Sequence, residues 1–145
     1  MQSNITKILV ATDGTPASRE AVDLGVELAA SEKAKVVFLH VAPPEYRYVR
    51  AARLPARPRQ LDSDGDSALE EATEVASMRG VEHQLAHFAG ETPDLIVNLA
   101  EAVHADLIVV GSRGRRLPHK SVSRHVVKHA DRPVLIARQK DKLAA

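Results

Sequence analysis

An α/β domain, with a five-stranded parallel sheet and helices on both faces, is the fold class this sequence predicts, and three observations predict it. Short runs rich in Val, Ile and Leu alternate with longer stretches whose apolar residues recur at helical spacing, the alternation that builds a parallel sheet. Residues 107–110 (LIVV) are apolar without interruption, as in a strand covered on both faces. The runs stop at turn-forming residues: Thr12-Asp13-Gly14-Thr15-Pro16, Pro43-Pro44, Gly90-Glu91-Thr92-Pro93 and Gly111.

The 145 residues suit one domain, spanning 1–145, large enough to bury a core without covalent staples. There is no cysteine, which removes disulfides, a thiol nucleophile and cysteine metal sites and fits a reducing compartment. No apolar run approaches the length of a membrane span, so no membrane association is expected and the cytoplasm is the expected location. A formal net charge of +1 gives no overall pull toward nucleic acid.

In chain order, residues 5–11 (ITKILVA) read as a buried strand. Pro16 then suits the first turn of a helix whose Ala17, Ala21, Leu24 and Leu28 share one face. Residues 35–41 (KVVFLHV) form the second strand, which Pro43-Pro44 ends. Residues 45–65 are irregular, with two prolines and little apolar content, and read as a surface excursion. Residues 67–79 form a helix with Leu69, Ala72 and Ala76 inward and Gly80 as its stop; residues 81–89 form a more polar strand, suited to a sheet edge. Thr92 is placed to cap the next helix, with Pro93 in its first turn and Ile96, Leu99, Ala100 and Val103 along its buried stripe. Residues 106–110, 122–130 and 133–137 complete the pattern as strand, helix and strand, and residues 138–145 are a charged tail.

In a doubly wound sheet of order 3-2-1-4-5, a ligand sits beyond the carboxyl ends of the strands where the order reverses, between strands one and four. The loops meeting there hold residues 12–16 and 111–123. Gly111 and Gly114 let the second loop turn and approach a ligand closely, Ser121 and Ser123 can open the following helix, and amides at such a turn attract anions.

The segments KILVATDGTPAS, HVAPP, GETPDLIVNLAEAVHADLIVVGSRG and SVSRHVVKHADRPVLIAR, in this order and spacing, resemble the universal stress protein family over nearly the whole chain. The resemblance implies a Rossmann-like sandwich of the adenine nucleotide alpha hydrolase-like type and a cytoplasmic stress-response regulator, usually a homodimer. ATP-binding members carry the pattern G-x2-G-x9-G-[ST]. Gly111-Ser112-Arg113-Gly114 matches its first half, but the third glycine falls on Arg124. If Ser121 is aligned instead, Lys120 stands at the glycine position and the loop is four residues shorter: residues 115–119 are five where the pattern has nine. Carried over position by position, Asp13 lies near adenine or ribose and the Val41 main chain meets adenine. Gly111, Arg113 and Gly114 belong to the phosphate loop, and Ser121 and Val122 lie at the terminal-phosphate end. Each also has a plain structural reading: Asp13 as a cap, Val41 as core, the glycines as turns and Ser121 as an N-cap.

Two functions stand at this point. One is a stress-response regulator holding ATP or AMP in a site with a shortened phosphate loop, magnesium entering only with ATP. The other is a nucleotide-independent module whose basic excursion contacts a protein partner. Turnover is not expected beyond very slow ATP hydrolysis, because nothing completes a set of base and metal ligand around Asp13. Both readings place a homodimer through the fifth strand at Val134, Leu135 and Ile136, an apolar run at a sheet edge that needs cover.

Other clusters read more simply. Tyr46, Arg47, Tyr48, Arg50, Arg53, Arg57 and Arg59 form a basic stretch that reads as a solvated loop or a lid before a nucleic-acid patch. Asp62, Asp64 and Asp66 alternate as in a calcium loop, but the glycine falls early and Thr73 stands where the final glutamate belongs, so they read as a loop and helix start. His83 and His87 lie ~13 Å apart on an extended strand, too far to share a metal. His125 and His129 share a helix face and read as solvent- or dimer-facing, so no metal site is assigned.

Overall fold

The computed structural model describes residues 4–43, 63–112 and 121–139. Its elements are β1 (Lys7–Ala11), α1 (Pro16–Glu32), β2 (Lys35–Ala42), α2 (Ser63–Met78), β3 (His83–Ala89), α3 (Thr92–Ala102), β4 (Leu107–Gly111), α4 (Val122–His129) and β5 (Val134–Ala137). The five strands form one sheet of order β3-β2-β1-β4-β5 with every pair parallel, the predicted topology.

Strand alternation divides the core. Ile8 and Val10 point to one face, where they meet Val22 and Val26 of α1, Phe38 of β2 and Ala72 of α2. Leu9 points to the other, with Leu39, Ile96 and Ala100 of α3, Ile108 and Val126 of α4. Ile8, Leu9 and Val10 are all fully buried, which explains why β1 shows no polar alternation in sequence.

Helix α1 differs from its expected face. Ala17, Ser18, Ala21, Val22, Gly25, Val26 and Ala29 are its buried residues, and Leu24 and Leu28 are only partly buried at its margin. Small residues lie underneath because the helix comes very close to the sheet: a Cβ on Gly25 would stand 2.5 Å from Val10 Cγ2. Pro16 occupies the first turn as predicted, and Thr15 is the N-cap, accepting from Ser18 N.

Several boundaries move by one or more residues; β1, for one, begins at Lys7 and not at Ile5. Helix α2 begins at Ser63, so residues 63–65, read as part of the irregular excursion, are helical; Asp64 and Asp66 fall in its first turn, where negative charge complements the helix dipole. Strand β3 begins at His83 because Val81 N donates to Ala76 O at 2.9 Å and so completes the exit of α2. Thr92 is not the cap of α3 but its first residue; Glu91 is the N-cap and makes no side-chain cap bond. The edge position expected for β3 is observed. The arginine-rich stretch from Tyr46 to Arg59 lies outside the described residues.

Candidate ligand cleft

At the carboxyl end of β1 the chain leaves the sheet through a net of hydroxyl groups. Thr12 N still donates to Leu39 O at 2.9 Å, the last ladder-like bond before the turn. Buried Thr12 and Ser18 then bring their hydroxyls to 3.3 Å, and the Ser18 hydroxyl accepts from Asp13 N at 3.2 Å while donating to Thr15 O at 3.1 Å. Asp13 Oδ1 accepts from Thr15 N at 3.0 Å and from the Thr15 hydroxyl at 2.6 Å, a local turn of the kind aspartate forms with residues two ahead. Asp13 is thus fixed in place by the residues that start α1.

A cleft opens over this turn. Thr12, Asp13, Thr15, Ala17 and Ser18 form one side, Leu39 and Val41 of β2 and Val110 and Gly111 of β4 form the floor, and Thr92, Ile96 and Val122 close it from α3 and α4. The cleft lies between β1 and β4, where the strand order reverses. The first turns of α1, α3 and α4 all border it, so three positive dipole ends lie at its edge. Asp13 is the one charged side chain of the described lining. The apolar floor suits a flat ring, the carboxylate and hydroxyls suit a polyhydroxylated group, and the helix ends suit an anion.

Gly111 has a second role here. A Cβ at this position would stand 2.5 Å from Ala17 O and 2.9 Å from Ser18 N, so the end of β4 packs directly against the first turn of α1. Glycine is required by this backbone contact whatever the ligand.

Of the residues singled out in the sequence, Asp13, Val41, Gly111 and Val122 border this one cleft. Ser121 is the N-cap of α4, its hydroxyl accepting from Arg124 N at 3.2 Å. Arg113 and Gly114, with Arg115, Arg116 and Lys120, lie outside the described residues. Sequence reasoning placed residues 12–16 beside the ligand position but did not single out Thr12 or Thr15 as site residues, and it missed Ser18 and Thr92. Three hydroxyls within TDGTPAS were the available signal, whereas Thr92 reaches the cleft only through the packing of α3.

The histidines take different places. His83 donates from Nδ1 to Val81 O at 3.0 Å, while His87 Nδ1 lies 3.4 Å from Asp66 Oδ1 and its ring meets that of buried His40, centroids 5.1 Å apart. His125 and His129 stack at 4.3 Å, with His125 Nε2 3.4 Å from Asp94 Oδ1. Among the described residues no group of three or more His, Cys, Asp or Glu is arranged to hold a metal ion, and no helix is long and apolar enough to cross a membrane.

The sequence profile of the universal stress protein family matches residues 4–138. The chain belongs to that family. The universal stress protein YxiE of Bacillus subtilis is 33% identical over 145 aligned positions, covering 91% of this chain and 98% of the relative. A crystal structure of a universal stress protein in complex with cAMP superposes with a TM-score of 0.74 at 27% identity, over 95% of this chain and 100% of the other. A universal stress protein family member of Arabidopsis thaliana with AMP bound gives 0.72 at 25% identity, over 97% and 95%. The family's Rossmann-like, adenine nucleotide alpha hydrolase-like fold is therefore shared by this universal stress protein.

Proposed function

We propose that the cleft between β1 and β4 holds an adenine nucleotide, ATP or AMP, and that the protein regulates a stress response through that ligand. The observation that carries the reading is the convergence of Asp13, Val41, Gly111 and Val122, chosen from the sequence, on one cleft bordered by three helix N-termini. The cAMP and AMP held by similar proteins support it. In this reading Asp13 accepts hydrogen bonds from the ribose or base, the floor at Leu39, Val41 and Val110 receives the adenine, and the first turns of α3 and α4 face the phosphate. Magnesium enters only with ATP. No hydrolysis is proposed, since no second acid, base or metal ligand accompanies Asp13 in the described lining.

Calorimetry with AMP and ATP tests the reading. AMP binding that weakens about tenfold or more in Asp13→Ala, the cost of losing a charged hydrogen bond, supports it; no heat from either nucleotide at millimolar concentration sinks it. That second result favours the nucleotide-independent module, for which the shorter loop and Lys120 at the glycine position speak. We further propose a cytoplasmic homodimer through β5, an edge strand on which Ile136 is 40% exposed. Light scattering that gives a monomer mass for the unmodified chain overturns the dimer.

A further inference from the structure

We propose that His40 is a positioning residue for the ligand-bearing turn: from inside the core it holds the Thr12 carbonyl and thereby sets the path of the chain into Asp13. The inference rests on the nucleotide reading of the cleft.

His40 is the one polar residue after Lys35 in β2, KVVFLHVA, and is 6% exposed. Its Nδ1 is 2.9 Å from Thr12 O. A carbonyl oxygen can only accept, so Nδ1 carries the proton and donates, and the neutral ring is the Nδ1–H tautomer. The carbonyl it meets belongs to the first residue after β1, at the point where the chain leaves the sheet. Register pairs β1 with β2 only as far as Ala11 and Leu39. One residue further, a side chain does for the Thr12 carbonyl what a ladder amide does inside the sheet.

The ring is held in turn. His87, the register partner of His40 on β3, meets it edge to face with planes at 81°, and Asp66 in the first turn of α2 lies 3.4 Å from His87 Nδ1. The line Asp66, His87, His40, Thr12 runs across the sheet on the α1 and α2 side and ends at the loop whose next residue is Asp13. The cleft itself uses the opposite side chains of the same strand, Leu39 and Val41. His40 therefore acts on the ligand through Thr12 and not by touching it.

Asparagine and leucine separate positioning from bulk packing. In asparagine the donor nitrogen is bonded to Cγ, as Nδ1 is in histidine, so His40→Asn keeps a donor near the Thr12 carbonyl; His40→Leu fills the space and offers none. AMP affinity is measured by calorimetry on wild type and both variants, with melting curves to establish that each is folded. His40→Asn is expected within about threefold of wild type and His40→Leu weaker by about tenfold or more, the size of one hydrogen bond. Nitrogen NMR of the wild-type ring is expected to show the proton on Nδ1. A folded His40→Leu that binds like wild type, a folded His40→Asn as weak as His40→Leu, or a neutral ring protonated on Nε2 each overturns the proposal. If wild type binds neither AMP nor ATP, the nucleotide reading fails, and the inference is judged by the amide resonances of Thr12 and Asp13. Displacement by leucine and restoration by asparagine support it; no displacement by leucine overturns it. If His40→Leu does not fold, the ring tautomer and the His40→Asn resonances decide on the same terms.

Discussion

The two ends of the sheet are built on opposite plans. At the amino ends of the strands, polar groups close on one another. Asp106 Oδ2 accepts from Thr6 N at 2.9 Å, from the Thr6 hydroxyl at 2.9 Å and from Lys7 N at 3.1 Å, and Asp106 N returns a bond to Lys7 O. Arg132 donates from one nitrogen to Ala100 O and Ala105 O, at 2.8 and 2.9 Å, and from Nε to Asp131. These contacts tie β1, β4, the end of α3 and the approach to β5 together. At the carboxyl ends the same polar resources surround a space: hydroxyls hold Asp13 at its border, and the first turns of three helices line it. An aspartate beside a strand end is therefore not a functional sign in itself. Asp106 and Asp13 both accept from a backbone amide and a threonine hydroxyl, but of the two it is Asp13 that borders the ligand cleft.

Substitution at Gly111 is expected to have the largest effect. Gly111→Ala places a methyl 2.5 Å from a backbone carbonyl that cannot rotate away. A loss on the order of 3 kcal/mol is expected, the upper range for overpacking, read as a lower midpoint in urea unfolding. Unchanged stability would mean that α1 and β4 are less tightly opposed than their contact indicates.

Asp106 gives the next effect. Asp106→Ala removes the acceptor of three bonds and should cost on the order of 1.5 kcal/mol while leaving AMP affinity untouched, because it acts at the far end of the sheet. A change in affinity without a change in stability would contradict the division between the two ends. Burial raises the carboxyl pKa, but the bonds from Thr6 and Lys7 and the charge of Arg132 outweigh it, so the folded value lies below the ordinary one. The unfolded chain then takes up its proton first as pH falls. Asp106 therefore stabilises fully above the ordinary aspartate value, about 3.9, and the contribution is lost as pH falls from there through the lowered folded value. Acid unfolding of Asp106→Asn should show a shallower loss over that interval than wild type.

Thr15→Ala is the mildest change and sharpens the contrast from the cleft side. Losing the N-cap should cost about 1 kcal/mol. It should also weaken AMP binding severalfold, since Asp13 loses the hydroxyl that fixes it. A stability loss with full affinity would show that the Thr15 hydroxyl is not needed to hold Asp13 in place.

Element order, strand composition and fold were legible because burial on both faces leaves β1 and β4 uniformly apolar, and Pro and Gly mark the turns between elements. Helix margins were less legible. Asp64-Gly65-Asp66 reads as a loop by composition, yet the dipole of α2 makes acids favourable in its first turn. Proline at 93 made Thr92 look like a cap, whereas the helix starts at Thr92 itself.

A turn rich in hydroxyls with one carboxylate after β1, and a glycine at the end of β4, follow from residue order alone. The packing of the elements is what sets this glycine against Ala17, brings Thr92 and Val122 to the same space, and lets His40 reach Thr12 from the core. The physical reason is register. Thr6 and Asp106 are a hundred positions apart, and His40 and Thr12 twenty-eight. Such meetings depend on which strands are neighbours and on a pairing that, shifted by one residue, sends every side chain to the opposite face.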